Sequence, residues 1–381
     1  MFLPISDAPN PPGRPLVTWA IIGLNVAVYA IAMLTLSGPA DPSDPAVQAI
    51  TRGARQGVLF RDLTGYDVLV YQYGFRPAHA SILTLFTSMF LHGGFLHLAG
   101  NMLFLWIFGD NVEHRLGRLG YLLAYLGTGA AATLFFAALE SDSGTPLVGA
   151  SGAISGVMGF YFLLFPRNVV HVFIFFWVYI RVVRIPARIV LGGYIVLSNI
   201  LPSLAQGAAG VSGVAYGAHI GGFFAGLGAA FLVDRREREA RPREFREAAS
   251  RPAQEGRPVP FEELVGAGRM DAAAAAYFGA DHHVLDRRAP REVLVLGRWL
   301  SEQGNARGAL SAFRRVMACH PDGPLAADAH LGAGLVQLRN LQRPTSAYQH
   351  FLDVIDLEPR SEAADIAREG LRFIEEAGAR R

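Results

Sequence analysis

Four stretches of this chain run for about 20 residues with almost no charge, a length that matches the hydrocarbon thickness of a bilayer at the rise of an α-helix. They are Leu16–Leu36, Tyr121–Leu139, Leu147–Phe165 and Val214–Val233, the last with His219 as its one ionisable group. Two shorter apolar runs, Phe95–Phe108 and Ile189–Leu204, complete a set of six. The composition agrees: 51% of the 381 residues are hydrophobic and only 17% charged, too apolar for an ordinary soluble chain. The sequence therefore predicts an all-α, polytopic membrane protein with six transmembrane helices. The first run is too long for a cleavable signal peptide and lacks a small-residue cleavage site, so it reads as a span.

Arginine placement sets the expected orientation. Arg115 and Arg118 lie between the second and third runs, Arg167, Arg181, Arg184 and Arg188 between the fourth and fifth, and a cluster begins at Arg235. Short basic loops stay on the cytoplasmic side, which puts both termini in the cytoplasm. A multi-pass protein of a cell membrane, the inner membrane of a bacterium, is the expectation. The first loop, residues 37–93, carries both signs and constrains little. Residues 168–183, NVVHVFIFFWVYIRVV, are β-branched and aromatic, but Val169–Ile180 is too short to span. That segment reads as interfacial or re-entrant, with a seventh span as the disfavoured alternative.

Beyond Val233 the composition changes abruptly. Residues 1–233 form the expected membrane domain, 234–260 a charged linker containing Pro242, Pro252, Pro258 and Pro260, and 261–381 a soluble helical domain on the cytoplasmic side. A degenerate repeat marks the last part: Gly268/Ala273/Tyr277, Gly304/Ala309/Phe313 and Ala347/Phe351. It resembles tetratricopeptide helix pairs, whose small residues let paired helices pack closely; an unrelated helical bundle is the alternative. By analogy the domain is expected to bind a protein or peptide. Net charge is only +2, so attraction to nucleic acid is not indicated, and a single cysteine, Cys319, rules out an internal disulfide or a cysteine zinc cluster.

Ionisable groups inside spans are costly and mark functional sites by default. His97 and His219 are such groups, His92 lies at the membrane edge, and Asn101 is four residues from His97 on the same helix face. Under the arginine topology the second, fourth and sixth helices all enter from outside. His97, Asn101, Ser151 and His219 then share one depth on three helices, which argues for a single site. A serine hydroxyl becomes a nucleophile when imidazole takes its proton, and the same imidazole can protonate a leaving amine. The Ser151 N–H at a helix start, the His97 ring and the Asn101 amide could hold an oxyanion. No Asp or Glu lies in the fourth or sixth run, so a Ser–His dyad is implied. Each residue alone has a plainer reading. Gly149, Gly152 and Gly156, with Gly217, Gly221, Gly222 and Gly226, have the small-residue spacing of close helix packing. His219 could be an interhelical hydrogen bonder, and two histidines could bind haem or a metal. No HExxH motif is present.

Three segments, HGGFLHLAGNMLFLWIFGDNVEHRLG (92–117), GASG (149–152) and AHIGGFFAG (218–226), resemble in order and placement the signatures of the rhomboid family of intramembrane serine proteases. The resemblance covers about residues 15–233. It implies Ser151 as nucleophile, His219 as base, and His97, Asn101 and the Ser151 amide as oxyanion hole. It also implies His92 as an additional histidine, Glu113 and Arg115 as a structural pair after the second helix, and Gly222 and Gly226 as the close approach of the sixth helix to the fourth. The implied reaction needs no metal or other cofactor; its substrates are transmembrane proteins within the lipid bilayer. Two positions depart from the family: Leu83 and Thr84 stand where some bacterial members have Trp-Arg, and Ser155 stands where an aromatic often packs on the histidine. Tyr216 or Phe160 is the expected substitute for that aromatic. The alternative function is a non-catalytic member that binds membrane clients and couples them to the helical-repeat domain.

Overall fold

The computed structural model describes residues 2–11, 13–53, 63–176, 179–209, 215–239, 259–279 and 289–379. The chain folds as two compact units, Met1–Ala8 with Gly13–Ala230, and Pro9–Pro12 with Phe231–Arg381.

The first unit opens with strand β1 (Phe2–Ala8) and helix α1 (Leu16–Leu36), followed by two short helices, α2 (Pro45–Gly53) and α3 (Gly65–Tyr73). Then come α4 (Ile82–Thr87), α5 (Phe95–Leu116), α6 (Arg118–Leu139) and α7 (Ser151–Leu164). Strands β2 (Val169–Phe176) and β3 (Tyr179–Pro186) lead to α8 (Ala187–Ile195), α9 (Leu201–Ala209) and α10 (Tyr216–Glu239).

Among the described residues, four helical stretches are individually long and apolar enough to cross a bilayer: Leu16–Leu36, Arg118–Leu139, Ala187–Ala205 and Tyr216–Arg236. The pair Ile82–Phe90 and Phe95–Leu116, bent by 89°, gives a fifth when counted as one broken span. The remaining apolar run forms only the 14-residue α7. Large apolar side chains such as Leu34, Leu96, Trp106, Leu123 and Phe231 face outward. Such a surface suits lipid rather than water.

Why the helices begin and end where they do is local chemistry. The Glu113 carboxylate, near the end of α5, accepts N–H bonds from Val17 (3.0 Å) and Thr18 (2.8 Å) and a hydroxyl bond from Thr18 (2.8 Å). It thereby satisfies free donors at the start of α1 and sits where the helix dipole favours a negative charge. Glu113 and Arg115, expected after the second helix, lie within it, because α5 continues to Leu116 and stops at Gly117, whose φ is +75°. Residues 147–150 do not join α7 as the apolar run suggested. Leu147 is instead tied to Phe75 by two backbone hydrogen bonds of 2.7 and 3.0 Å, and the Gly149 N–H donates to the Ser88 carbonyl at 2.9 Å.

The segment expected to be interfacial or re-entrant forms no helix, so no seventh span arises from it. Val169–Phe176 and Tyr179–Pro186 pair as an antiparallel hairpin, and β1 adds to its β2 edge, giving the order β1-β2-β3. Runs of Val, Ile and Phe fit a pleated, half-buried surface: Val170 and Val172 are buried, while Ile180 and Val182 face out. The sheet also carries a buried polar cluster. Asp7 accepts hydrogen bonds from Tyr161 and, at 2.9 Å, from Asn111, while Asn168 donates to the Tyr161 oxygen at 2.9 Å.

In the second unit the described helices are α11 (Phe261–Gly266), α12 (Met270–Gly279), α13 (Pro290–Glu302), α14 (Ala306–Cys319), α15 (Pro324–Leu335), α16 (Pro344–Leu357) and α17 (Glu362–Ala379). Consecutive helices from α13 onward pack on one another. The repeat residues are its core: Ala273, Ala309, Ala347, Tyr277, Phe313 and Phe351 are all buried. Gly268 and Gly304, at φ +69° and +76°, turn the chain into the helices that follow them. Helix α10 continues through Glu239, so the first residues expected as linker are helical; most of that linker, residues 240–258, lies outside the described residues.

Candidate active site

Ser151 is the first residue of α7, and the residue two before it, Gly149, has φ +124°. That backbone conformation suits glycine, and the space does too: a Cβ on Gly149 would meet Cε1 and Nε2 of His97 at 2.8 and 2.9 Å. The N–H groups of the first turn of a helix have no carbonyl partner within the helix, so the Ser151 amide opens a set of free donors.

His219 comes from α10. Its Nε2 lies 2.7 Å from Ser151 Oγ. The two helices reach this distance through glycine. A Cβ on Gly222 would strike the carbonyl oxygen of Gly152, and one on Gly226 the carbonyl oxygen of Gly156. On its other face α7 packs against α6, with Gly152 against Ala132 and Gly156 against Thr128. The small residues read as packing and the serine read as chemistry thus belong to one arrangement: close helix contact is what lets residues 68 positions apart share a hydrogen bond.

The second ring nitrogen has a partner that the sequence reading missed. His219 Nδ1 is 2.7 Å from Asn199 Oδ1. The amide orientation follows from its other contact, since Asn199 Nδ2 donates to the Tyr194 carbonyl at 3.0 Å. A carbonyl only accepts, so the NH2 end of Asn199 faces Tyr194 and its oxygen faces His219. Nδ1 must then carry the proton, which leaves the Nε2 lone pair for the Ser151 hydroxyl. Asn199 lies in a π-helical turn, Val196–Ile200, between α8 and α9, and is 1% exposed. Its signal in the sequence is a strongly polar side chain in the apolar run Ile189–Leu204; looking for an orienting carboxylate in the fourth and sixth runs alone passes over it. Among the described residues no ring stacks on His219, so the role expected of Tyr216 or Phe160 falls to an amide. Ser155 is fully buried one turn further along α7.

Ser151 and His219 face an open cavity of about 1020 Å³, whose lining includes His97, Asn101, Phe104 and Met158. His97 and Asn101 share a face of α5. The Asn101 Nδ2 is buried and, among the described residues, has no hydrogen-bond partner. An orphaned donor lining the same cavity as a hydroxyl is a place for an incoming oxygen. His97 Nδ1 accepts a long 3.4 Å bond from the Gly93 N–H, which assigns its proton to Nε2, the atom beside Gly149. His92 is fully buried with its ring edge-on to His97, centroids 5.3 Å apart, and its carbonyl accepts from the Tyr66 hydroxyl at 2.5 Å.

Outward-facing apolar helices and a hydrogen-bonded serine–histidine pair drawn from two of them define a polytopic helical membrane protein with a polar site inside its bundle. Residues 79–236 match the rhomboid domain model, so this part of the chain is a rhomboid domain. Rhomboid protein 1, mitochondrial, of Saccharomyces cerevisiae is 27% identical over 242 residues, covering 61% of this chain and 57% of the relative. Rhomboid-like protein 11, chloroplastic, of Arabidopsis thaliana is 31% identical over 176 residues, covering 44% and 56%. Rhomboid protease GluP of Bacillus subtilis is 31% identical over 150 residues, covering 39% and 24%. The chain spans about half the length of the first two of these relatives. No solved structure matches.

Proposed function

We propose that this protein is an intramembrane serine endopeptidase that hydrolyses a peptide bond in or near a transmembrane segment of another membrane protein. The observation that carries the proposal is the chain of contacts Asn199–His219–Ser151, ending at a cavity that also holds the unpaired Asn101 amide. The name of the Bacillus subtilis relative, a rhomboid protease, supports the same reading.

In this mechanism the lone pair on His219 Nε2 takes the Ser151 proton as Oγ attacks the scissile carbonyl. The carbonyl oxygen gains negative charge, held by the Ser151 N–H, the His97 Nε2–H and the Asn101 NH2. The protonated His219 ring then gives its proton to the leaving amine, and the acyl group stays on Ser151. Water then enters and gives a proton to His219 as its oxygen attacks the acyl carbonyl, and the ring returns that proton to Ser151 Oγ as the new carboxyl end leaves. Helix length supports where this happens: 14 residues span about 21 Å, short of the ~30 Å hydrocarbon layer, so at least one end of α7 lies within that layer, and Ser151 stands at one of its two ends.

A continuous substrate helix hides its carbonyls in its own hydrogen bonds, so cleavage requires local unwinding at the site. Helix-breaking residues near the scissile bond are expected to raise the cleavage rate, and a substrate series without that trend counts against the mechanism. The direct test is purified protein in detergent with a transmembrane substrate. Wild type is expected to cleave, and Ser151→Ala and His219→Ala each to abolish cleavage while staying folded. A wild type that binds substrate across several lipids without cutting it favours the client-binding reading instead. The second unit is assigned the recruitment of a protein or peptide on the cytoplasmic side, tested by whether its removal spares basal proteolysis.

A further inference from the structure

We propose that His330, His350 and Asp353 form a binding site for a divalent transition-metal ion of the zinc type, in the second unit and apart from the serine–histidine site. His330 lies on α15, and His350 and Asp353 lie one turn apart on the adjoining α16. One ligand atom from each gives a group lying within 4.8 Å of one another. His330 Nδ1 is 3.1 Å from His350 Nδ1 and 3.2 Å from Asp353 Oδ2.

The two spacings from His330 match an ion's coordination shell. Two ligands about 2.0–2.1 Å from a tetrahedral zinc lie about 3.3 Å from each other. Lone pairs of two rings aimed at one such ion put the ring centroids about 5.2 Å apart; here they are 5.3 Å apart with the planes tilted by 58°. With neutral rings, an N–H on His330 Nδ1 is shared between His350 Nδ1 and Asp353 Oδ2. A cation at the centre satisfies all three ligands at once.

The donor set selects the ion. Two imidazole nitrogens with one carboxylate suit zinc, cobalt, nickel or copper, whereas magnesium and calcium prefer oxygen alone. The positive charge of Arg314, on α14, acts on His350 and opposes a cation, so binding relies on the nitrogen donors rather than on net charge. The His330 and Asp353 side chains are 17% and 30% exposed, which gives an ion an entry path and room for water as a further ligand. Beneath the cluster, Ala327, Leu331, Ala347, Tyr348 and Phe351 form the core between α15 and α16. A bound ion would clip these two helices together and stabilise the unit by an amount that grows with the logarithm of ion concentration relative to its Kd.

The test uses the full chain, purified without a polyhistidine tag and stripped with a chelator. Zinc and magnesium are titrated calorimetrically, and cobalt by its visible absorption. Zinc and cobalt are expected to bind saturably at this cluster and to raise the melting temperature, with magnesium doing neither. His350→Ala and Asp353→Asn are expected to weaken zinc binding by about tenfold or more, and His320→Ala, at an exposed position in the same unit, to leave it unchanged. Should His350→Ala fail to fold, Asp353→Asn, a near-isosteric change, carries the comparison. Absence of saturable zinc binding, or binding unaltered in Asp353→Asn and His330→Gln, overturns the proposal and leaves a hydrogen-bonded histidine pair.

Discussion

Asn199 Oδ1 and His219 Nδ1 are 2.7 Å apart, on the edge of the imidazole away from Ser151. One amide therefore fixes both the tilt of the ring and which nitrogen holds the proton. An aspartate in that place would add a full negative charge; an amide adds only a dipole, which costs far less to bury within a membrane bundle.

From this contact, Asn199→Leu is expected to lower kcat by on the order of tenfold to a hundredfold, less than the ~10⁴ lost when the tautomer set by a triad carboxylate is reversed. KM should change little, since the amide touches the histidine and not the substrate. Asn199→Asp keeps an acceptor oxygen and should retain more activity than Asn199→Leu. Steady-state kinetics on a transmembrane substrate measures both; equal rates in wild type and Asn199→Leu would remove the positioning role.

The orphaned Nδ2 of Asn101 makes a separate claim. Asn101→Ala should reduce kcat by about 10²–10³, the usual cost of one oxyanion donor. Folding should be retained, because the lost group has no partner among the described residues. A loss expressed mainly in KM would instead assign Asn101 to substrate binding.

Gly226→Ala tests the helix approach. Its Cβ would collide with the Gly156 carbonyl, a backbone atom that cannot swing aside, whereas a Cβ on Gly228 meets nothing within 4 Å. Gly226→Ala is expected to destabilise the first unit by about 1–3 kcal/mol, the usual cost of overpacking, and to lower activity by parting Ser151 from His219. Gly228→Ala should do neither. Thermal unfolding in detergent, read beside activity, separates the two variants.

Asp7 predicts a pH dependence away from the serine. Burial, and then the nearby charge of Asp110, raise its carboxyl well above the ordinary aspartate range. The folded chain therefore keeps a proton on Asp7 that the unfolded chain has already released. Stability from this group is greatest below about pH 4 and falls as pH rises through the folded value. Asp7→Asn should flatten that fall, measured as melting temperature from about pH 5 to about pH 9. Parallel profiles for variant and wild type would exclude Asp7 as the source.

Much was legible in the chain itself. Runs near 20 residues long require helices in a bilayer, because backbone groups have no water there to bond. Polar residues inside such runs stand out, so Ser151, His97, Asn101 and His219 could be singled out with their helices. Asn199 obeys the same rule, yet its role depends on a π-turn that redirects one side chain, and no periodicity reports that. The segment at residues 169–186 was readable as too short to span, but not as a hairpin whose third strand comes from the first eight residues.

What the sequence by itself determined is the local part: which segments avoid water, which residues break a helix, and which side chains can carry a proton. Only the tertiary structure decided which of them meet. Whether α10 lies close enough to α7 for His219 to reach Ser151 depends on two crossing helices whose glycines face each other, and that is a relation between segments far apart in the chain.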